Sequence, residues 1–336
     1  MQMVHPMPNP VPAPAREPLI KASGLSVDMP IGRDQKVRIV DNIDFSIGVG
    51  ERVALVGESG SGKSLTARAL MRLDRLAGLS GRIDFDGRNL LDLPEREMAR
   101  CRGSAIAMVF QDPMSFLDPL MTIGDQVAET LRIRGVGKAE ARKRALAVLD
   151  ELGVDRAAQR LDSYPHEFSG GMRQRVVLAM ALVGEPRLLI ADEPTTALDV
   201  RVQDQVLDLL DDVSARRGLA VLFITHDLGV VAGFAERVMV MYSGRIVEDG
   251  DVETVFADPK HPYTQGLIKA VPRIDQDLGK LYAIPGAPPP PLARPSGCPF
   301  HPRCSSAFDR CRSELPAVLN VGVERVACHL HDPLKG

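Results

Sequence analysis

Apolar residues fall in short runs along this chain, and two periods alternate. From Leu19 to Gly57 the pattern is strand-like. Leu25-Ser26-Val27, Val37-Arg38-Ile39-Val40 and Ile43-Asp44-Phe45-Ser46-Ile47 lead to Arg52-Val53-Ala54-Leu55-Val56, with a turn at Gly48-Val49-Gly50-Glu51. Arg82-Ile83-Asp84-Phe85-Asp86-Gly87 is a further alternating strand ended by a turn. Together these predict a small, largely antiparallel sheet. Ala105–Phe110 is a continuous apolar run of strand length that ends at Gln111, before the loop Asp112–Pro119. From about Thr122 to Leu161 the period lengthens: Ile123, Val127 and Leu131 recur at intervals of four, and Ala145, Val148, Leu149 and Leu152 follow. A third helix begins at Ser169, carries Val176, Val177, Met180 and Leu182, and is broken by Gly184-Glu185-Pro186. Buried strands return at Arg187–Ala191, Val221–Thr225 and Arg237–Met241. A helix between Val200 and Arg217 sets Val202, Val206, Leu209, Leu210 and Val213 on one stripe.

Strands alternating with helices predict a mainly parallel α/β core with a helical insertion at about residues 112–184. No internal repeat is visible. Past about Lys260 the composition shifts: Pro285 to Pro295 is Pro-rich and extended, and leads into four cysteines. The division expected is a disordered Pro-rich tail over 1–17, a main domain over 18–260 and a C-terminal extension over 261–336.

Composition narrows the function classes. The 336 residues are 45% hydrophobic and 25% charged, as in an ordinary globular protein, and suffice for a large core. A net charge of -3 carries no electrostatic footprint for nucleic acid. No apolar run approaches the roughly 18 residues that span a bilayer, and Met1–Arg16 lacks the apolar core of a secretory signal. A cytoplasmic protein is expected, with any membrane role arising through partners. Cys101 stands alone, whereas Cys298, Cys304, Cys311 and Cys328 crowd the C-terminus. In that setting the cluster points to a metal site or redox chemistry rather than to disulfides.

The candidate chemistry centres on Gly57-Glu58-Ser59-Gly60-Ser61-Gly62-Lys63-Ser64-Leu65, which fits G-x-x-x-x-G-K-[ST] between a predicted strand and a predicted helix. Its glycines let the backbone turn its N–H groups toward phosphates, and the helix N-terminus adds partial positive charge. Lys63 would reach the β- and γ-phosphates, and the Ser64 hydroxyl would ligate Mg²⁺. The strand ending at Ala191 delivers Asp192 and Glu193 at the edge where open α/β sheets bind ligands. Asp192 suits Mg²⁺ coordination, and Glu193 suits the general base that polarises water.

With these residues in order, the chain resembles an ATP-binding-cassette ATPase, with the α/β P-loop NTPase fold: a RecA-like, mainly parallel sheet, an antiparallel β subdomain and a helical insertion. The family's signature is matched by Phe168-Ser169-Gly170-Gly171-Met172-Arg173-Gln174-Arg175. The resemblance implies that Ser169, Gly170, Gly171 and Met172 bind ATP held by an opposite subunit in a head-to-tail dimer. It makes Gln111 the glutamine that senses Mg²⁺ and water, and Ala197-Leu198-Asp199 the loop across the dimer interface. His226 becomes the histidine that contacts the γ-phosphate. The aromatic that stacks on adenine in the family falls near Met29, a departure that bears on base affinity.

Phe168 and Met172, with His261-Pro262-Tyr263-Thr264-Gln265-Gly266-Leu267 and Cys298-Pro299-Phe300-His301-Pro302-Arg303-Cys304, are similar to the oligopeptide, dipeptide and nickel importer branch. That branch implies two membrane permeases, a second ATPase subunit (identical or paralogous), an indirectly coupled extracytoplasmic solute-binding protein, and a peripheral position on the cytoplasmic face of the membrane. It also implies a [4Fe–4S] cluster on Cys298, Cys304, Cys311 and Cys328. Their spacings of five, six and sixteen intervening residues fit neither short zinc knuckles nor the compact ferredoxin pattern, so on spacing alone the metal stays open. His301, His329 and His331 keep a mixed zinc site open. The alternatives to an importer subunit are a cassette ATPase acting on nucleic acid or ribosomes, and an exporter subunit.

Overall fold

The alternating N-terminal runs pair as expected. Strands Pro18–Ile31 (β1) and Gln35–Gly48 (β2) run antiparallel, and after Arg52–Val56 (β3) leaves for a second sheet, Gly78–Phe85 (β4) and Arg88–Asn89 (β5) return to complete the order β2-β1-β4-β5. One face of this sheet is buried: Ile20, Leu25, Val27, Val40, Phe45, Ile47 and Ile83 pack with Val53, Leu55 and Leu70. The computed structural model describes residues 16–32, 35–110, 116–195, 199–271 and 282–333. The expected N-terminal tail, apart from its last two residues, lies outside them.

The second sheet adds Ile106–Val109 (β6), Leu188–Asp192 (β7), Ala220–Thr225 (β8), Arg237–Tyr242 (β9), Arg245–Asp251 (β10), Leu319–Val321 (β11) and Glu324–Val326 (β12). Among the described residues its order is β11-β12-β10-β9-β3-β8-β7-β6, with the block from β9 to β6 parallel. Both faces of that block are covered, so its strands read as unbroken apolar runs. The period of two survives in what each residue touches. Leu189, Ala191, Val221 and Phe223 pack with the helical layer, whereas Leu188, Ile190, Leu222 and Ile224 pack toward the antiparallel sheet.

Helix α1 (Lys63–Leu70) follows β3 and α2 (Glu95–Cys101) precedes β6. The helical insertion comprises Ile123–Ile133 (α3), Lys138–Glu151 (α4), Ala157–Arg160 (α5) and Gly170–Leu182 (α6). The four-residue spacing of Ile123, Val127 and Leu131 is a fully buried stripe, packed with Ala145, Leu149, Val176 and Leu178. Val200–Arg217 (α7) starts at Asp199, whose Oδ1 accepts the Val202 N–H at 3.0 Å, and stops at Gly218 in the left-handed region at φ 60°. Leu228–Phe234 (α8), Val252–Ala257 (α9), Pro262–Ala270 (α10) and Asp309–Ser313 (α11) complete the helices among the described residues.

The C-terminal stretch is more closely built in than its composition suggests. β12 pairs with β10 through Glu248–Val326 and Asp249–Arg325, and β11 pairs with β12, so the stretch after Lys260 continues the main sheet. Strands of three residues joined at Gly322 are too short to show a period. The Pro-rich segment bends at Pro285-Gly286, where Gly286 adopts φ 73°, and makes one 3₁₀ turn at Pro291–Ala293. It is tied down by Arg294, whose guanidinium donates to the Ile39 carbonyl at 2.5 Å and to the Ser243 hydroxyl at 3.2 Å.

This junction buries two carboxyl groups. Glu248 accepts the backbone N–H groups of Lys260 at 2.6 Å and His261 at 3.1 Å. Burial, and next the charge of Glu248, push the neighbouring Glu324 up to about 7. Folded Glu324 therefore holds a proton that an unfolded glutamic acid releases near pH ~4.3, and its stabilisation is lost as pH rises through its folded pKa. Glu324→Gln is expected to flatten the fall in melting temperature between about pH 5 and pH 8 and to melt above the parent at the upper end. A decline parallel to that of the parent in thermal unfolding would remove Glu324 from this role.

Candidate nucleotide site

β3 ends at Val56 and hands the chain to Gly57, which adopts φ 152° against the neighbouring strand. A Cβ at Gly57 would sit 2.1 Å from the Met241 carbonyl oxygen, so no other residue fits without backbone movement. The loop then closes on itself: the Ser61 N–H donates to the Glu58 carbonyl at 3.2 Å. Lys63 Nζ donates to the carbonyls of Gly57 at 2.8 Å and Glu58 at 3.1 Å. Ser59 and Gly60 form the exposed tip, and Leu65 tucks back toward the core beneath it. Gly62, at φ 107°, precedes α1 with no side-chain cap. The first-turn amides of α1 and the Lys63 ammonium thus converge on an anion-binding corner. Burial lowers the Lys63 pKa, opposed by the charges of Glu193, Asp192 and Glu58.

The parallel strands next to β3 bring the acids. Ser64 Oγ donates to Asp192 Oδ1 at 2.9 Å, joining the first turn of α1 to the end of β7 across 128 positions of sequence. Burial raises the Asp192 pKa, and the Ser64 hydrogen bond opposes that shift. Glu193 follows at φ 48°, its N–H bonded to the Ile224 carbonyl at 2.9 Å, so the chain turns as it leaves the sheet. One strand over, β8 ends at Thr225 and presents His226, whose Nδ1 lies 3.2 Å from Glu193 Oε1. The Glu193 side chain is sheltered at 17% exposure while that of His226 is 63% exposed, so the carboxylate is the fixed member of the pair. A serine hydroxyl and carboxylate in contact, with a second carboxylate held by a histidine, can take a hard cation and orient water beside bound phosphate.

The signature residues form a separate surface. Ser169 caps α6, its Oγ accepting the Met172 N–H at 3.4 Å. Ser169, Gly170, Gly171, Met172 and Asp199 line one open recess of about 350 Å³. A Cβ on Gly171 would meet Val202 at 2.8 Å, whereas Gly170 faces open space. No residue of the phosphate loop lines this recess.

Named relatives match this chain over most of its length. Residues 40–196 match the family model for ABC transporters, and residues 247–311 match that for the oligopeptide/dipeptide transporter C-terminal region. The oligopeptide transport ATP-binding protein OppD of Salmonella typhimurium is 50% identical over 285 residues, covering 84% of this chain and 85% of that protein. AppD of Bacillus subtilis, also an oligopeptide transport ATP-binding protein, is 46% identical, covering 89% of this chain and 93% of its own length. The chain belongs to the ATP-binding-cassette transporter family. Among solved structures, the cassette MJ0796, a dimer in a post-hydrolysis state bound to ADP and Pi, superposes with a TM-score of 0.61 at 30% identity, covering 69% of this chain and 98% of that one. CbiO1 of Clostridium perfringens, part of the transporter complex CbiONQ, gives 0.63 at 29% identity over 72% of this chain and 92% of its own.

Of the residues expected in this cassette's site, Gln111 lies outside the described residues, as do Ala197 and Leu198 before Asp199. Met29 stands on β1 opposite Val37, partly buried against the core beneath the antiparallel sheet. Cys298, Cys304, Cys311 and Cys328 are free thiols that line one small cavity together with His261, His301 and His329. Burial pushes Cys298 and Cys328 up to about 11 and raises Cys304, each helped by neighbouring cysteines. Even so, among the described residues no group of three or more His, Cys, Asp or Glu side chains is placed to hold a metal ion.

Sequence motifs missed two residues of the ABC cassette. Tyr263 Oη accepts the Glu58 N–H at 2.8 Å, and Arg303 grips the Glu58 carboxylate. Both come from the C-terminal stretch, more than 200 positions away. In the sequence they stand only within His261–Leu267 and Cys298–Cys304, the stretches that resemble importer ATPases, with nothing local to join them to the loop.

Replacing Ser64 tests the joint between helix and strand. Ser64→Ala removes a hydrogen bond to a buried carboxylate, a loss of about 1.5–3 kcal/mol. Mg²⁺ titration of ATP hydrolysis is expected to show cation affinity about 10- to 100-fold weaker. An unchanged Mg²⁺ dependence would separate Ser64 from the cation.

Proposed function

We propose that this chain is the ATP-hydrolysing subunit of a peptide importer, working as one member of a head-to-tail pair of cassettes. The observation that carries the reading is the meeting of Ser64 with Asp192 and of Glu193 with His226 at one edge of the parallel sheet, beside the phosphate loop. The C-terminal region shared with oligopeptide/dipeptide transporters, and relatives named for oligopeptide transport, support peptide as cargo.

In this mechanism the residues Gly57 to Leu65 cradle the ATP phosphates, with Lys63 over the β- and γ-groups. Ser64 and Asp192 fit a hard, oxygen-seeking ion, since their oxygens already lie in contact, and would hold Mg²⁺ with Gln111. That ion supplies neutralisation of phosphate charge. Glu193 accepts the proton of the attacking water and also holds His226 through Nδ1, so that the histidine reaches toward the γ-phosphate. Ser169, Gly170, Gly171, Met172 and Asp199 complete the site of the opposing subunit, which explains why they form a recess of their own. Among the described residues no helix is long and apolar enough to cross a membrane. On this reading force passes to two membrane permeases, by way of Gln111 and the helical insertion, with the ATPase pair peripheral on the cytoplasmic face. A solute-binding protein acts on the far side, and nucleic acid takes no part.

We extend the proposal to a [4Fe–4S] cluster on Cys298, Cys304, Cys311 and Cys328. Four thiols around one cavity suit a soft cluster, and burial that disfavours free thiolates favours a bound cationic partner to hold them ionised. Anaerobically purified protein is expected to be brown and to contain iron and sulfide. Colourless protein with stoichiometric zinc would sink the cluster.

Glu193→Gln is expected to bind ATP while hydrolysing it about 10²- to 10⁴-fold more slowly. Near-normal single-turnover hydrolysis would remove Glu193 as base. Affinity purification of that variant from native membranes with ATP is expected to bring down two multispanning permeases; ribosomal proteins in their place would overturn the transport reading.

A further inference from the structure

Glu58, the residue after the first glycine of the phosphate loop, is gripped from the other end of the chain. Arg303 donates to it through both arms of its guanidinium, Nη1 to Oε2 at 2.6 Å and Nη2 to Oε1 at 2.9 Å. This two-pronged geometry fixes angle as well as distance. The guanidinium is itself immobilised. Its side chain is 4% exposed, its Nε donates to the Pro285 carbonyl at 2.9 Å, and it lies over the rings of Tyr242 and Phe300 at 5.8 and 5.9 Å. Those rings pack on Tyr263, whose hydroxyl takes the Glu58 N–H.

The charge of Glu58 matters because of what the loop must receive. Its carbonyl accepts a hydrogen bond from Lys63, and its carboxylate acts on the Lys63 ammonium electrostatically. Beside a polyanion, an uncompensated carboxylate in the loop repels ligand and pulls on the cation meant for the phosphates. Arg303 pairs with that charge.

We propose that Arg303 is a positioning residue for ATP, acting through Glu58, and that the C-terminal extension thereby sets the nucleotide affinity of the cassette. The proposal rests on reading the loop as an ATP site. Arg303 lies in the turn between Cys298 and Cys304, and Phe300, over which its guanidinium lies, lines the thiol cavity, so cavity and phosphate loop are joined through adjoining side chains.

The test measures equilibrium binding of ATP with Mg²⁺ to the full-length chain, with Lys63→Ala as reference for the loop. Arg303→Met keeps an unbranched apolar stem against Tyr242 and Phe300 but removes the charge, and is expected to weaken ATP about tenfold. The loss is expected to shrink as salt is raised, because the repulsion is screened. Adding Glu58→Gln is expected to recover most of the affinity, since the charge that Arg303 balanced is gone. Affinity within twofold of the parent overturns the proposal, and so does a loss that neither salt nor Glu58→Gln relieves. Should Arg303→Met fail to give a cooperative melt, the pair Arg303→Gln with Glu58→Gln takes its place, which removes both charges together. It is expected to stay within about threefold of the parent, and a tenfold loss there overturns a role for charge. A parent chain that binds no ATP, or binds it equally after Lys63→Ala, overturns the nucleotide reading itself and the proposal with it.

Discussion

Strands β3, β7 and β8 run parallel and adjacent, and they therefore finish at one edge of the sheet. Every chemical group of the site depends on this shared ending. The phosphate loop leaves from β3, the acids Asp192 and Glu193 from β7, and His226 from β8. The hydrogen bond from Ser64 to Asp192 closes the arrangement by tying the helix that follows the loop to the strand that carries the acids. The apolar runs that form these strands are buried on both faces, so the edge they define is held by the core rather than by surface contacts.

Within that edge, charge is balanced rather than merely gathered. Lys63 is buried, which disfavours its ammonium, and three carboxylates oppose that shift without cancelling it. Asp192 is buried, which disfavours its carboxylate, and a serine hydroxyl opposes that shift in part. A site whose cation and anions are both left short of solvation is prepared for a ligand that brings both phosphate and a divalent ion. Glu58 belongs to the same balance, but its partner comes from the far end of the chain.

What could be read from the sequence was what local strings encode. The loop from Gly57 to Leu65, the acids after a buried strand and the cap at Ser169 each declare themselves within a dozen residues, because backbone approach and capping impose residue types at fixed spacing. The helical insertion was visible because Ile123, Val127 and Leu131 keep one face over several turns. The hairpin of β11 and β12 was not, since three-residue strands carry no period. Nor was the grip of Arg303 on Glu58, which joins residues 245 positions apart and follows from the path of the whole chain. The same holds for Glu324, an exposed-looking acid in a short polar run that the fold sinks to 1% exposure beside Glu248.

The pairing of β12 with β10 has one more effect, on what the protein exposes to its neighbours. β10 lies at the outer side of β9, and without the C-terminal hairpin its backbone N–H and C=O groups would face water along a bare strand. Such an edge accepts any passing strand, including that of another copy. The hairpin moves the boundary outward to β11, which is three residues long and too short to template pairing. A chain cut back to its nucleotide-binding motifs would lose the grip of Arg303 on Glu58 and also gain an adhesive border. The C-terminal stretch thus also covers part of what would otherwise be an open border of the main sheet.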